Sequence, residues 1–572
     1  MHKDIIIVGA GISGIAAGYN LQKSCPDKSF AILEGREALG GTWDLFKYPG
    51  VRSDSDMHTL GFRFKPWIHK RSIADGPSIL KYLNETVDDY KLRDKITYNQ
   101  KVISSNWQPD KSIWELIVQD NGQEVNMTCN FLFLCGGYYS YEKPYMPDFL
   151  GQEDFNGQII HPQFWDESLD YTNKKVVVIG SGATAVTLVP AIAETAKQVT
   201  MLQRSPSYVV SAPGEDSWSN ALSKVLPIKV TYFLIRWKNI LRTSLGFYLA
   251  RKYPDRVKEK LIDLVSEELG DDYDVEKHFT PSYKPWDQRM CLVPDSDLFN
   301  SIKDGRANVV TDTIDRFTPT GILLNSGNQV EADIIVSATG IELNTLCDIN
   351  VSVDGEKVEA HHKLSYKGMM LSGVPNLAFC FGYVNASWTL RADLTCEYVC
   401  RLINRMDKEG FSACAPEADP KALVDDDYID FTSGYVQRAL DILPKQGKKS
   451  PWRNYQNYLL DIFYVRLFSI KDSTLRFYNP KNQNNIDILK IRYLIPLTLW
   501  ALGLINLFQP FDGFLFYFST FIFWLLLISH LIECIFLRKR ILSSTDTPAK
   551  AFAMTFLFGV IYLVSIEVKT KE

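Results

Sequence analysis

The chain of 572 residues is long enough for two or three domains with their own cores. Its formal net charge of -5 and the lack of a dominant basic stripe argue against nucleic acid as a partner. Ten cysteines without a C-x-x-C pair indicate reduced, packed thiols in a cytosolic setting.

The first predicted element is a buried strand, Asp4 to Val8, which is followed by a glycine turn and a helix of small residues. Gly9 permits the tight turn, Gly11 lets the backbone approach a pyrophosphate, and Gly14 lets the helix pack against the strand. The helix N-terminus can then stabilise phosphate charge. A second strand ends in Glu34, at the spacing expected for a contact to a ribose hydroxyl.

The next loop, Gly40-Gly41-Thr42-Trp43, resembles the loop of flavin enzymes that runs along FAD. This resemblance implies that the first site holds FAD rather than a nicotinamide, with Gly41, Thr42 and Trp43 as further cofactor residues. Residues 97–135 predict a hairpin layer and a buried strand that returns to the same sheet. We therefore expect the first part of a FAD-binding domain at residues 1–145.

Residues 155–166 read F-x-G-x-x-x-H-x-x-x-W-D, a pattern made by Phe155, Gly157, His161, Trp165 and Asp166. It resembles the fingerprint of Baeyer–Villiger monooxygenases, flavoproteins in which a flavin peroxide inserts oxygen beside a carbonyl. A plain flavin-containing monooxygenase usually lacks the tryptophan and acid at the end. We expect His161 and Trp165 to position the linker between two nucleotide domains, and we do not expect His161 to act as an acid or base.

A second dinucleotide turn follows the strand that ends at Ile179, with Gly180 and Gly182 in place and Ala185 where a third glycine is usual. The next strand ends in Arg204 and Ser205 without an acid. An arginine and a hydroxyl can bind a 2'-phosphate, which a carboxylate would repel. The pattern therefore predicts NADPH rather than NADH.

The NADPH-binding domain is predicted at residues 146–340, with a helical insertion at about 215–295 that is rich in aromatic and basic residues. Two interpretations of this insertion stay open: it covers a substrate pocket, or it contacts a membrane surface. The aromatic and basic residues of the insertion include Tyr232, Phe233, Arg236, Trp237, Lys238, Arg242, Phe247, Tyr248, Arg251 and Lys252.

Residues 283–294 contain the sequence W-D-Q-R, and residues 1 to about 480 as a whole resemble the ethionamide-activating branch of the Baeyer–Villiger monooxygenases. The resemblance places Arg289 at the active-site position, with Asp54 near it at the flavin face. A fixed cation there would stabilise an anionic peroxyflavin and the charged tetrahedral adduct that follows. Residues 341–485 are expected to return to the FAD-binding domain.

The tail, residues 486–572, departs from that branch because it contains three apolar runs. The middle run, from Phe514, is long enough to cross a hydrocarbon core, whereas the outer two are marginal. Basic residues flank the runs and Asp512 lies between the first two, so the positive-inside rule predicts a cytosolic catalytic part. The alternative is a buried apolar hairpin in a soluble domain.

The predicted fold class is α/β, with two Rossmann-like domains for FAD and NADPH, a helical insertion and a C-terminal helical transmembrane segment. The predicted function is an NADPH- and O2-dependent FAD monooxygenase that oxidises lipophilic ketones to esters, anchored to membrane lipid and without a metal site. Oxygenation of a sulfide or of nitrogen shares every motif and stays open. A non-catalytic, membrane-tethered flavoprotein is a third hypothesis. A disulfide reductase is disfavoured because no cysteine pair follows Gly41.

Overall fold

The computed structural model describes residues 1–418, 426–467, 470, 473–479, 488–542, 547–559 and 562. The chain divides into two compact units, residues 1–480 and residues 481–572. Each unit is described below by itself.

The first stretch of the larger unit alternates short helices with strands of one sheet. Its helices are α1 Ile12–Ser24, α2 Thr42–Leu45, α3 Met57–Leu60 and α4 Gly76–Asp89. Its strands are β1 His2–Val8, β2 Phe30–Leu33, β3 Ile96–Thr97, β4 Gln100–Gln108, β5 Ile113–Asp120, β6 Gln123–Leu134 and β7 Tyr139–Pro144.

The second stretch contains a second sheet and a run of helices. Its helices are α5 Ala183–Ile192, α6 Ser217–Leu222, α7 Ile228–Lys252, α8 Pro254–Leu269, α9 Val275–Phe279 and α10 Asp297–Lys303. Its strands are β8 Gln158–Ile160, β9 Lys175–Ile179, β10 Gln198–Gln203, β11 Val209–Ala212, β12 Cys291–Pro294, β13 Ala307–Thr311, β14 Ile314–Thr318, β15 Gly321–Leu324, β16 Gln329–Glu331 and β17 Ile334–Ser337.

The third stretch returns to the first sheet through short strands and one long helix. Its helices are α11 Trp388–Glu409, α12 Gly434–Gln437 and α13 Tyr458–Ile462. Its strands are β18 Ile341–Leu343, β19 Asn350–Val353, β20 Glu356–Lys357, β21 Ser365–Tyr366, β22 Met370–Leu371, β23 Leu377–Phe379, β24 Ala413–Pro416, β25 Asp426–Asp427, β26 Lys445–Gln446 and β27 Leu475–Tyr478.

The first sheet has nine strands, in the order β20-β19-β4-β5-β6-β1-β2-β3, and β23 also pairs with β6. Strands β23, β6, β1, β2 and β3 run parallel, as a Rossmann-like fold requires, while β4, β5 and β6 form an antiparallel meander. The meander and the returning strand match the predicted hairpin layer. The long helix α11 packs against α1 beside this sheet, so the first and third stretches share one core.

The second sheet has five parallel strands in the order β13-β10-β9-β17-β8. Its core consists mainly of β-branched and aliphatic side chains from β9, α5, β10 and β17. All its strands come from residues 158–337, and the strands of the first sheet come from residues 2–134 and 350–379. This grouping gives two α/β layers with a helical insertion, while the residues at which the predicted domains begin and end stay a prediction.

The smaller unit contains four helices, α14 Ile488–Phe508, α15 Phe514–Phe536, α16 Arg538–Leu542 and α17 Pro548–Phe558, in its described residues. Polar side chains join α14 to two of the others. Asn506 donates to Thr520 Oγ1 of α15 at 2.9 Å, and Trp500 donates to the Leu557 carbonyl of α17 at 3.0 Å. By length and composition, α15 is the one helix among the described residues that is long and apolar enough to cross a membrane.

Candidate functional site

A cavity of about 1190 Å³ lies in the larger unit at the carboxyl ends of the parallel strands of both sheets. The backbone just after β1, β2 and β6 lines one part of it, and the backbone just after β9, β10 and β17 lines another. Ligands of open α/β sheets bind at such strand ends. Both glycine turns predicted from the sequence therefore face the same cavity.

The first turn is tightly packed around its glycines. A Cβ on Gly14 would lie 1.9 Å from the Gly9 carbonyl oxygen, so α1 could not approach β1 with any larger residue there. Gly9 itself has a φ of +98°, in the left-handed region, and sits against Gly136. Gly11 lies back to back with Gly41, since a Cβ on Gly11 would come within 3.5 Å of the Gly41 Cα.

Glu34 lies at the end of β2 in the cavity wall, as its predicted ribose contact requires. Its carboxylate accepts hydrogen bonds from the backbone N–H groups of Ala10 at 2.7 Å and Arg36 at 3.0 Å. Burial raises the pKa of Glu34. Arg36 pairs with Asp44 at 2.7 Å, yet its Nη1 is buried without a hydrogen-bond partner among the described residues. A ligand oxygen in the cavity would satisfy this donor.

The Gly41 loop and α11 complete the wall around the first turn. Thr42 begins α2 and lines the cavity together with Trp43. On the other side, α11 begins at Trp388, whose indole N–H donates to Ser13 Oγ at 2.7 Å. An adenine dinucleotide needs glycine backbone that it can approach closely, an acid at a strand end and a free guanidinium donor. This turn provides all three. The residues therefore fit FAD at this turn.

The second turn is more open toward the cavity. A Cβ on Gly180 would lie 2.4 Å from the Ala338 carbonyl oxygen, but one on Gly182 would meet nothing within 4 Å. Ala185 is fully buried, and its methyl group is accommodated where the first turn needs Gly14. Space for a ligand therefore lies directly in front of Gly182.

Arg204 and Ser205 follow β10 and line the cavity beside this turn. Both are exposed, and Arg204 has no hydrogen-bond or ion-pair partner among the residues that the structure describes. The backbone of Ser205 is held by Ser181, whose Oγ donates to the Ser205 carbonyl at 3.0 Å. A free guanidinium at a strand end fits a 2'-phosphate, so the residues present fit NADPH.

Arg289 and Asp54 form an ion pair in the cavity wall, although 235 residues separate them. Arg289 Nε donates to Asp54 Oδ2 at 2.8 Å, and Nη2 lies 2.6 Å from the same oxygen. The carboxylate raises the pKa of Arg289 above its ordinary value, which keeps the guanidinium charged. About a third of the Arg289 side chain is exposed, so part of the cation faces the cavity. The structure thus brings together the two residues predicted for catalysis; their role stays a prediction.

Three tyrosines surround this ion pair, and sequence reasoning had missed them. Tyr138, Tyr139 and Tyr435 line the cavity, and the Arg289 charge acts on all three. Burial raises the pKa of Tyr435 to about 12, and it also raises the pKa of Tyr138 and Tyr139, so all three keep their O–H groups at neutral pH. Tyr138 and Tyr139 come four and five residues after the end of β6, next to the Gly136-Gly137 turn, which is a signal that could have found them. Nothing in the sequence around Tyr435 indicates its place.

A second ion pair joins the same two segments. Arg52 binds Asp297, with Nη2 3.3 Å from Oδ1. Arg52 and Asp54 therefore each pair with a distant partner near β12 and not with each other.

The residues of the fingerprint fix the chain between the two sheets, and they do not line the cavity. His161 Nε2 lies 3.2 Å from the Gly340 carbonyl, and Nδ1 accepts from the Gln163 N–H at 3.2 Å, so the neutral ring serves both bonds. Burial lowers the pKa of His161, which favours that neutral form. Trp165 is buried in the core of the second sheet, and a Cβ on Gly157 would lie 2.2 Å from the Asp333 carbonyl.

The two ends of the fingerprint are also structural. Phe155 packs edge-on against Phe317 in a small core beside the second sheet. Asp166 is exposed and accepts hydrogen bonds from the backbone and hydroxyl of Ser168, which turns the chain after Trp165.

The helices of the insertion do not line the cavity, which only the last part of the insertion, from Gln288, reaches. No residue between Ser207 and Gln288 belongs to its wall in the described structure. Tyr232 and Arg236, two of the residues that defined the insertion as aromatic and basic, are buried inside the larger unit. The first interpretation of the insertion, a cover over a substrate pocket, is thus not supported by the lining of this cavity.

Comparison with known proteins gives matches over most of the chain. A model described as flavin-binding monooxygenase-like matches residues 74–372, and one described as an NAD(P)-binding Rossmann-like domain matches residues 7–70. The FAD-containing monooxygenase EthA of Mycobacterium tuberculosis is 53% identical over 477 residues, 83% of this chain and 98% of the relative. The probable FAD-binding monooxygenase AlmA of Acinetobacter baylyi is 47% identical over 480 residues, 83% of this chain and 96% of the relative.

Solved structures with the same fold include a steroid monooxygenase bound to NADP, with a TM-score of 0.68 and 22% identity over 84% of this chain and all of that one. An open form of cyclohexanone monooxygenase has a TM-score of 0.66 and 20% identity, again over 84% of this chain and all of that one. At this identity the likeness concerns the fold, which in both cases extends over most of the chain.

Proposed function

Since this chain belongs to the flavin-binding monooxygenase-like family, we propose that it is a Baeyer–Villiger enzyme, which uses FAD, NADPH and O2 to convert lipophilic ketones to esters. The family, the 53% identity to a FAD-containing monooxygenase and the fit of both turns to dinucleotides support a flavin enzyme that takes electrons from NADPH. The observation that carries the ketone chemistry is the Arg289–Asp54 ion pair in the wall of the shared cavity.

FAD, when bound and reduced by NADPH, supplies the activation of O2. Gly11, Gly41 and Glu34 would hold its pyrophosphate and ribose, while Gly182 and Arg204 would hold NADPH. The protein contributes to the oxygenation step through electrostatic stabilisation. Arg289 presents a fixed positive charge, which stabilises the negative charge that develops on a ketone oxygen when its carbon becomes tetrahedral.

The neighbours of Arg289 keep this charge in place. Asp54 binds one edge of the guanidinium and leaves part of the other edge toward the cavity. The nearby O–H groups of Tyr138, Tyr139 and Tyr435 stay protonated, so they add no negative charge that would compete for the cation.

The test is ester formation from an aliphatic ketone under 18O2, with flavin content measured for each variant. Arg289→Ala should lower kcat/KM for the ketone by about 100- to 1000-fold, the usual cost of removing one charge-stabilising donor. Arg52→Ala is a matched control, because Arg52 lines the same cavity but pairs with Asp297. We expect it to cost much less and to keep FAD.

An equal loss in both arginine variants would contradict a specific role of Arg289. Sulfoxide formation from a sulfide by the wild-type protein, without any ester from ketones, would instead support oxygenation at sulfur or nitrogen. NADPH oxidation without any oxygenated product would contradict both functions.

The proposal includes attachment to a membrane through residues 486–572. In support, α15 is 23 residues long with a mean hydropathy of 2.0 in its most apolar window, and only 11% of that window is buried. Arg538, Lys539 and Arg540 follow α15, while Asp512 precedes it, so the positive-inside rule puts the end of α15 in the cytosol. A cytosolic catalytic unit requires α14, which has Lys490 and Arg492 near its start, to cross the bilayer as well.

Removal of residues 486–572 tests this attachment. We expect a soluble protein that keeps FAD, whereas the full chain should remain with membranes after a carbonate wash. An insoluble, flavin-free product would show that these residues belong to the core of the enzyme.

A further inference from the structure

Helix α7 carries apolar side chains on two opposite faces. Its inner face packs into the larger unit through Tyr232, Ile235 and Ile240, all at most 4% exposed. Arg236 belongs to this inner face as well. It donates to the backbone carbonyls of residues 58, 59 and 61 and pairs with Asp393 at 3.1 Å, so this arginine anchors the helix and is not available to an outside partner.

The outer face of α7 is apolar along nearly its whole length. Val230, Leu234, Leu241, Leu245 and Tyr248 recur at helical spacing, with Phe233 beside them, and their exposed fractions lie between 43% and 58%. A water-facing helix normally places polar side chains opposite its buried face. Trp218 and Val225, just before α7, are even more exposed, at 66% and 76%. A row of large exposed apolar side chains along one helix face is typical of an interaction site.

The charged side chains of α7 itself all have one sign. The 25 residues of α7 contain six basic residues and no acidic one. Of these, Lys229, Arg242 and Lys252 are exposed, whereas Lys238 is paired with Asp216 at 2.6 Å. Basic residues beside leucines and aromatic rings on one helix are the pattern that lies in the headgroup region of an anionic bilayer. A second copy of the chain would present the same positive charges, which disfavours it as the occupant.

We propose that the outer face of α7 rests on the surface of an anionic membrane, so that the catalytic unit has a membrane contact of its own in addition to the C-terminal helices. The exposed apolar side chains and the basic residues that form this contact all belong to the larger unit. The contact therefore stands apart from the attachment through residues 486–572, and it extends the membrane interpretation of the insertion.

The C-terminal end of α7 is coupled to the segment that carries Arg289. Phe247 packs edge-on against Trp286, with ring centroids 5.5 Å apart, and Arg251 pairs with Asp287 at 2.7 Å. The Asp287 carbonyl accepts in turn from the backbone N–H of Thr432 at 2.9 Å. A membrane under α7 would therefore lie next to the segment that reaches the cavity wall at Gln288 and Arg289. Lipophilic substrate dissolved in the bilayer would be delivered to this side of the enzyme.

Photo-crosslinking in the full chain tests the contact. A photoreactive p-benzoylphenylalanine is placed at Leu241 or Leu245, and the protein is reconstituted into phosphatidylcholine vesicles with about a quarter phosphatidylglycerol. Leu150 is a matched control, since it is a leucine of the larger unit outside α7 that is at least as exposed (65%) as Leu241 (52%) and Leu245 (57%). We expect lipid adducts in the mass spectrum from both α7 positions and not from Leu150.

Other products would overturn the proposal. A crosslinked dimer would assign the face to a second copy, and an internal crosslink to residues 481–572 would assign it to the C-terminal unit. Absence of any adduct at Leu241 and Leu245 would mean that the face stays in water. Vesicles of phosphatidylcholine alone should reduce the lipid adducts about fivefold, because the basic residues lose their partners. An unchanged yield there would contradict the role of the charges.

Discussion

The two dinucleotide turns of this protein share a sequence pattern but differ in packing. In the first, Gly14 touches the Gly9 carbonyl and Gly11 faces Gly41, so the turn is closed on both sides by backbone. In the second, Ala185 fits in place of a glycine and nothing lies within 4 Å in front of Gly182. The closed turn suits a cofactor that stays bound through many turnovers. The open turn suits a cosubstrate that enters and leaves.

The largest expected effect is that of Gly14→Ala. The new methyl group would lie 1.9 Å from a backbone oxygen, and only a shift of α1 away from β1 can relieve this clash. We expect loss of FAD and a large fall in Tm, measured as flavin absorbance per protein and by thermal unfolding. The matched change in the other turn, Ala185→Gly, should keep FAD and cost about 1 kcal/mol through helix propensity. Full flavin content in Gly14→Ala would remove the contrast between the turns.

A smaller and more selective effect is expected for Gly182→Ala. Its φ of -82° suits alanine and its Cβ has open space, so the protein should fold and keep FAD. The methyl group would, however, stand where the backbone meets the pyrophosphate of NADPH. We expect the KM for NADPH to rise about 100-fold, since small displacements of a bound reactant have effects of this size. The rate of anaerobic flavin reduction at varied NADPH concentrations measures this loss of affinity for NADPH. A loss of FAD instead would show that the second turn also supports the first site.

The smallest effect is expected for Arg204→Ala. The guanidinium has no partner in the described structure, so its removal should leave Tm and flavin content unchanged. Loss of one charge-assisted bond to a 2'-phosphate should raise the KM for NADPH about 10- to 100-fold, while that for NADH stays the same. The ratio of the two KM values is the measurement. An unchanged preference for NADPH would show that another residue of the open turn recognises the 2'-phosphate.

The elements that the sequence predicted well are those whose signal is local. Both glycine turns and their strands follow from a few adjacent residues, and Glu34 and Arg204 follow from their positions at strand ends. Arg289 and Asp54 were named only through a family resemblance, because nothing local connects residues 235 apart.

Arg236 shows why the rest could not be predicted. In the sequence it is one of several basic residues on a helix. In the structure it is buried, donates hydrogen bonds to three backbone carbonyls near residue 60 and forms an ion pair with Asp393. These partners come together only when the third stretch of the chain returns to the first sheet. Tyr435 reaches the cavity for the same reason.

The two ion pairs between the Asp54 loop and the β12 region attach these two segments to each other at two separate points. Arg52 and Asp297 hold the loop at one point, and Asp54 and Arg289 hold it at another. If only the second pair opens when NADPH arrives, the first acts as a fixed pivot. The loop would then stay attached to the β12 region while Asp54 and Arg289 are apart, so the same two side chains could pair again without a rearrangement of either sheet.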